Sequence, residues 1–445
     1  MNINYKIKSI ALSLLLVLST AGLQAQTVNL TLKDALNYAL QNNANINKAR
    51  LEVINGQLQT DEIRARALPQ INGSATLTDQ LIIPQLIVGD QTFKMGRQWN
   101  GNAGINFSQQ LFNKQVLTGL KAAKAGESFY NLNAELTEEN ILQQAATAYY
   151  QVLVTREQLK TIDANIASIS KIENTVANQF KNGLAKRIDL DRVRVNLTNV
   201  RTQREQIANA ITQQENLLKF YIGMPVETEM MLPPTELSNI TADAQRLSKG
   251  FNVEQLTQYE LLVKQKELLG YQKKAAQAEY FPSLALTGNY GYTSTSDQFD
   301  ILKGSGSTAA KYDASAIGLS LSIPIFDGNA RKSRVKQAEN DILQIEEDIK
   351  NTANSLSLAH RNANLEIRNS VNTINSQQEN VKLAQQVYSS TQNNYNNGLA
   401  SLTDLLNSET SLIDAQNSYN QALLNFRLAE IQLIQSNGNI KSLLK

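Results

Sequence analysis

The chain has 445 residues, with 42 Lys+Arg against 40 Asp+Glu, one His, no Cys and seven Pro, and is too long for one ordinary core. A formal charge of +2 provides no large cationic surface, so a nucleic-acid partner has no electrostatic support. Disulfides, thiolate nucleophiles, Cys-based zinc sites and lipidation of a mature N-terminal Cys are excluded, as are His-cluster metal sites; no cofactor is called for.

Lys6 and Lys8 precede an apolar run from Ile10 to Leu18, and small residues then lead to Ala25. This reads as a secretory signal peptide over 1–25 with Gln26 as the mature start; the competing reading is an N-terminal membrane anchor. The run is shorter than the ~20 residues of a spanning helix, and no later segment approaches that length. An exported chain without a helical span is either soluble or sits in an outer membrane as a β-barrel.

All seven prolines cluster, leaving 85–224 and 325–445 free of them. Such gaps permit helices far longer than the ~11 residues of ordinary domains. In chain order, Leu30 to Ala67 reads as a helix. After Pro69, Ile71, Gly73, Ala75 and Leu77 alternate with Asn72, Ser74, Thr76 and Thr78, which is the period of a strand. A second strand carries Ala103, Ile105 and Phe107, and 80–100 between them, with Gly89-Asp90, reads as an exposed loop. Asn113 to Asn178 is a helical pattern of about 65 residues, ~100 Å at 1.5 Å per residue. A return helix, Lys186 to Ile222, has Leu197, Val200, Ile207, Ile211 and Leu218 on one seam, with Arg204 and Gln214 in its polar gaps.

The second half has the same plan: helix Val253 to Tyr280, strands on Leu284–Tyr292 and Ile317–Ile323, helix Arg331 to Asn394, and return helix Ser401 to Gln435. Its loop 297–312, with Asp297 and Asp300, again reads as exposed. From Val335 the apolar positions Ala338, Ile342, Ile345, Ile349, Leu356, Ala359, Ala363, Ile374, Val381, Ala384, Tyr388, Thr391 and Tyr395 trace a coiled-coil seam. His360 reads as a polar surface or lumen position. The halves also match residue by residue: Phe180 to Leu190 aligns with Tyr395 to Leu405 at an offset of 215, Leu111-Phe112 with Ile325-Phe326 at 214, and Gly223 with Gly438 at 215. This is a duplicated domain, divided as a first repeat 26–222, a linker 223–252, a second repeat 253–437 and a tail 438–445.

No charged residue occurs from Phe281 through Ser296 or from Ala314 through Phe326. Each strand is about 10 residues, the length of a tilted transmembrane strand, apolar on one face and small and polar on the other. A soluble sandwich would have more strands and place Lys or Glu on its polar face. Four strands cannot close a barrel, because the smallest ordinary ones have ~8. Two chains would supply eight and three would supply twelve, so obligate oligomerisation follows. Phe281 and Phe326, at strand ends, read as an interfacial aromatic girdle.

With a signal peptide, two homologous halves, two strand pairs, very long helices and the twin turn Asn-Gly-Leu-Ala followed by Asp-Leu, the sequence resembles the TolC family of outer-membrane efflux proteins. The motifs are Phe180 to Leu190 and Tyr395 to Leu405, supported by Leu32 to Leu36 and by Phe326-Asp327-Gly328-Asn329. The resemblance implies an α+β membrane protein: a homotrimer with a 12-stranded transmembrane β-barrel, four strands per chain, continued by a long antiparallel α-helical barrel across the periplasm. It also implies a mixed equatorial belt at 223–252 and the C-terminal tail. Implied partners are an inner-membrane pump and a periplasmic adaptor (a membrane fusion protein), the adaptor docking near Gly183, Leu184, Ala185, Gly398, Leu399 and Ala400. The bland reading of the glycines is helix termination at positive φ.

Family members narrow the tip with acidic rings and tyrosine or arginine links. Tyr395 and Asp404 match the expected types, Asp189 is the pseudo-equivalent of Asp404, Asn407 stands where a second ring carboxylate is often found, and Ala400 where an arginine link would be. These imply a pore gate at Tyr395, Asp404, Asn407 and Asp189. Asp404 equally reads as a cap on the return helix. No nucleophilic triad can be assembled and no phosphate-binding loop is present, so the chain reads as a passive duct of a tripartite efflux or type I secretion system, not an enzyme. The competing readings are a soluble periplasmic coiled-coil adaptor or structural protein, and an exported carboxylate hydrolase.

Overall fold

The computed structural model describes residues 28–233, 251–300, 303 and 308–444. The signal peptide read over 1–25, most of the linker and the turn at Gly304 to Ser307 lie outside the described residues. The elements in order are β1 (Val28–Asn29), α1 (Leu32–Asn42), α2 (Ala44–Ala65), β2 (Gln70–Asp79), β3 (Gln85–Val88), β4 (Gln91–Lys94), β5 (Trp99–Phe112), α3 (Lys114–Lys181), α4 (Arg187–Ile222) and β6 (Met230–Met231). Then come α5 (Thr257–Ala278), β7 (Ser283–Ser296), β8 (Ala310–Ser322), α6 (Ala330–Asn396) and α7 (Leu402–Ser436), with short 3-10 turns at Val253–Gln255 and Ile440–Leu444. None of the described helices is long and apolar enough to cross a membrane. The chain forms two compact units: Met1–Lys48, Leu136–Leu256 and Ser355–Lys445 make one, and Ala49–Glu135 with Thr257–Asn354 make the other. Each unit draws on both halves of the sequence.

The first unit is helical. Its larger core joins α1, α3, α4, α6 and α7 around Leu36, Tyr149, Leu218, Ile367 and Phe426. Here α3 is buried on every side from Ala145 to Val154, apart from Thr147, Tyr150 and Gln151, which are half-buried. The parallel pairing of β1 with β6 ties Val28–Asn29 to the linker, and a bond from Tyr149 Oη to Leu30 O (3.2 Å) ties the same segment to α3. One helix was expected from Leu30 to Ala67, and it breaks at Asn43, whose backbone is extended (φ −65°, ψ 128°). The Asn43 side chain holds the break: Oδ1 accepts from Asn45 N and Nδ2 donates to Tyr221 O at 2.7 Å. Asn can supply both bonds at once, which a propensity argument over a polar helix does not detect.

The seam of α6 follows the expected three-four spacing, with one departure. Half-buried or buried positions step by alternating threes and fours from Val335 to Leu356 and again from His360 to Tyr395, but Leu356 and His360 are four apart after another step of four. That extra step shifts the phase of the stripe. Ala359 is consequently exposed and His360 half-buried, its ring stacked on Phe251 at 4.0 Å between centroids. Along α4, Leu197, Val200, Ile211 and Leu218 are buried as read. Arg204 fills its polar gap by bonding Asp163 of α3 at 2.6 Å.

In the second unit the sheet order is β2-β5-β7-β8, antiparallel throughout. Its strands have 10, 14, 14 and 13 residues. One face aligns Ile71 with Phe107, Leu284 with Leu321 and Leu286 with Leu319; the other aligns Asn72, Asn106 and Asn289 in one row, and Thr76, Asn102 and Thr293 in another. On the first face Phe107, Leu284 and Leu286 are half-buried, whereas the outer strands leave theirs bare, with Ile317 78% and Leu319 67% exposed. Among the described residues β2 and β8 each pair along one side only.

Both sheet-to-helix junctions are capped by corresponding residues. Asn113 Oδ1 accepts from Gln115 N (3.0 Å), and Asp327 Oδ2 accepts from Arg331 N (2.8 Å). Gly328 and Asn329, both at positive φ, make the second turn possible. The region 80–100 is not a plain loop: β3 and β4 form a hairpin around Gly89-Asp90, Gly89 taking φ +64° at the first turn position. Asp300, expected in an exposed loop, is buried, because Ser296 Oγ, Thr308 N and Thr308 Oγ1 all donate to its carboxylate.

Four glycines, Gly183, Gly223, Gly398 and Gly438, end helices at φ +70° to +76°. At Gly223 an added Cβ would meet Asn42 O at 2.5 Å, whereas at Gly183 and Gly398 it would meet nothing within 4 Å. Gly183→Ala and Gly398→Ala should therefore cost only the left-handed backbone penalty, about 1–2 kcal/mol. Gly223→Ala should lower the melting temperature clearly more than either, since two backbones would have to separate; calorimetry on the three variants checks the order.

Candidate functional site

The twin turns superimpose in their hydrogen bonding. In the first, Gly183 N donates to Phe180 O (3.0 Å) and Leu184 N to Gln179 O (2.8 Å); in the second, Gly398 N donates to Tyr395 O (3.0 Å) and Leu399 N to Asn394 O (2.8 Å). This is a glycine-terminated Schellman ending in both copies. The residue after the glycine commonly folds back on the helix in that motif. Here Leu184 and Leu399 are instead 79% and 78% exposed. Ala185 and Ala400 are half-buried beside them, and Ala185 packs on the apolar cluster below.

That second cluster is the wall under the turns, with Ile169 and Val176 from α3, Val193 and Leu197 from α4, Tyr388 from α6 and Leu405 from α7. Two side-chain bonds join the halves above it. Tyr395 Oη donates to Gln179 Oε1 at 3.1 Å, and Arg192 Nη1 donates to Thr403 Oγ1 at 3.3 Å. Burial, with the Asp189 charge adding to it, pushes the Tyr395 phenol up.

Asp404 is exposed and completes a capping box: its Oδ2 accepts from Ser401 N (3.0 Å) and Ser401 Oγ (2.6 Å), and its own N donates to Ser401 Oγ (3.2 Å). Those bonds from Ser401 hold its carboxyl below the ordinary 3.8. Asp189 makes half of the same box, accepting from Lys186 N at 3.3 Å, because a lysine side chain has no acceptor to return the bond. Asn407 is exposed one turn beyond Asp404. The structure thus brings Tyr395, Asp189, Asp404 and the two glycine turns into one neighbourhood of the helical unit. Gln179, Arg192 and Thr403 were not singled out in sequence. At the offset of 215 they correspond to Asn394, Asn407 and Ile188, so both bonds break the internal symmetry and matching the halves could not reveal them.

Comparison with known proteins now fits this geometry. The model of the family described as outer membrane efflux protein matches residues 35–224 and 264–439, and the chain belongs to that family. TolC of Escherichia coli (strain K12), an outer membrane protein, is 25% identical over 305 residues, which cover 62% of this chain and 58% of TolC. The TolC of Vibrio cholerae is 22% identical, covering 76% of this chain and 77% of that protein. The crystal structure of the outer membrane protein VceC from Vibrio cholerae has the same fold, with a TM-score of 0.72 at 19% identity over 92% of this chain and 96% of VceC.

Because Asp404 is bound most strongly when ionised, its contribution to the start of α7 is present at neutral pH and is lost as pH falls through its lowered value, below 3.8. Ser401→Ala should raise that value towards 3.8 and speed amide exchange at residues 402–405 several-fold at pH 7. Exchange measured by mass spectrometry on both proteins checks this.

Proposed function

We propose that this chain is the outer-membrane channel of a tripartite efflux or type I secretion system, passively conducting substrates from a pump and adaptor across the periplasm and outer membrane. The observation that carries the reading is the sheet: one apolar face with Ile71, Ile317 and Leu319 exposed, one face with rows of Asn and Thr, and two edges unpaired among the described residues. An apolar outside and a polar lumen are the two faces of a membrane barrel. Lipid tolerates no open edge, so the edges call for further copies. Three copies give twelve strands, with the antiparallel helices of each chain continuing the barrel as a tube. Family membership supports the same assembly. On this reading 1–25 is a cleaved signal peptide, 26–222 and 253–437 are the two repeats, and 223–252 with 438–445 form the belt. Phe326, 81% exposed, and Phe281 form the girdle.

Two site assignments accompany the reading. Tyr395, Asp404, Asn407 and Asp189 narrow the pore, with three copies of Asp404 attracting cations in a water-filled constriction. The exposed Leu184 and Leu399, with Gly183, Ala185, Gly398 and Ala400, receive the periplasmic adaptor: two apolar knobs at corresponding positions suit repeated helical hairpins.

The mature chain should fractionate with outer membranes and run as a trimer by native mass spectrometry in detergent; a soluble monomer would favour the adaptor reading instead. In planar bilayers Asp404→Ala should raise single-channel conductance or abolish block by multivalent cations. Unchanged behaviour in both assays removes Asp404 from the pore.

A further inference from the structure

In the wall under the twin turns, Glu409 of α7 is 2% exposed, and neither of its carboxylate oxygens has a hydrogen-bond partner. Leu405, Leu412 and Ile413 around it on α7 belong to the apolar cluster. The titratable group that faces it is Tyr388 of α6, whose phenol is already engaged with Ser168 Oγ (2.7 Å) and Gln392 Nε2 (3.2 Å). Charged side chains of α3 and α4 along this wall satisfy one another: Glu173 with Arg194 at 2.9 Å, and Asp163 with Arg204 at 2.6 Å. Lys171, Arg201 and, on α7 itself, Asp404 and Asp414 are exposed. An ionised carboxylate in such a place has neither water nor a cation to compensate it.

We propose that Glu409 is a proton-binding site: the proton it holds keeps α7 packed against α3, α4 and α6, and losing that proton loosens the start of α7. Burial pushes the Glu409 carboxyl up to about 7 from the ordinary 4.5. The folded state therefore holds a proton that the opened state releases. With the folded value raised, the linked stability is fully present below about 4.5 and is lost as pH rises through about 7. The direction is opposite to that of Asp404, five residues earlier on the same helix: acid weakens the cap and strengthens the wall. The inference concerns packing within one helical unit and stands whether or not the chain forms a duct.

Hydrogen exchange of peptides from 402–416, measured on the full mature chain in detergent from pH 4.5 to 8 and divided by intrinsic exchange rates, tests it. In the wild type, protection should fall about tenfold per pH unit between about 5 and 7 and then level off. In Glu409→Gln it should stay flat and exceed wild type at pH 8. The same pH profile in both proteins, or a flat wild-type profile, overturns the proposal. Should the variant fail to fold, infrared spectroscopy of the wild type decides: a protonated-carboxyl band that persists at pH 6 and fades by pH 8 is expected, and a band already gone at pH 6 overturns it.

Discussion

The backbone groups along the outer edges of β2 and β8 constrain everything else in this molecule. Each strand offers a row of N–H and C=O groups with no partner among the described residues. In water such edges invite uncontrolled pairing; in hydrocarbon each unsatisfied group costs several kcal/mol. The faces sharpen the problem. A sheet with Ile317, Leu319 and Ile71 bare on one side cannot rest in water, and one with an Asn72-Asn106-Asn289 row on the other cannot rest wholly in lipid. Edge closure by further copies with water inside resolves both demands at once, which is why the proposed assembly follows from the sheet before any helix is considered.

The helical unit is built on a weaker and more distributed principle. Its seams are narrow, so each helix contributes few apolar residues per turn, and lateral bonds such as Arg204 to Asp163 and Arg156 to Glu215 (2.6 Å) fill the gaps. Neither pair is fully buried, and pairs of this kind contribute little individually. Their value lies in fixing which helix faces which, while the apolar stripe supplies the attraction. Where α3 is buried almost all round, near Tyr149, the wall is thickened by Leu30 and α1; under the twin turns it thins to the smaller cluster.

Much of this was legible in the sequence because its carriers are periodic. Alternation over Ile71 to Thr78 and the three-four stripe from Val335 repeat one physical rule many times, so single exceptions do not hide it. What escaped depends on single side chains with two bonding roles. Asn43 ends one helix and starts the next, His360 enters the seam because of one extra step of four, and Asp300 is drawn into a loop core by three donors. The β3–β4 hairpin was missed for another reason. Gly89-Asp90 was visible as a turn, but its arms are four residues each, too short for alternation to register. In the candidate site, the turns and caps could be read from local spacing, whereas Gln179 and Arg192 could not, since their partners are more than 200 residues away in the chain.

The sequence match at an offset of 215 bears on the site's construction and also on its limits. Gly183 and Gly398 give the same backbone turn because only that turn's hydrogen bonds and a positive φ are required, and both survive extensive change elsewhere. The residues that follow have diverged chemically: Lys186 leaves its box half made, while Ser401 completes it. The start of α7 is therefore bound more firmly by its cap than the start of α4, and it alone has a buried carboxylate, Glu409, at the position corresponding to Arg194. A firm cap over an unpaired acid makes one of two equivalent turns responsive to protons and leaves the other inert.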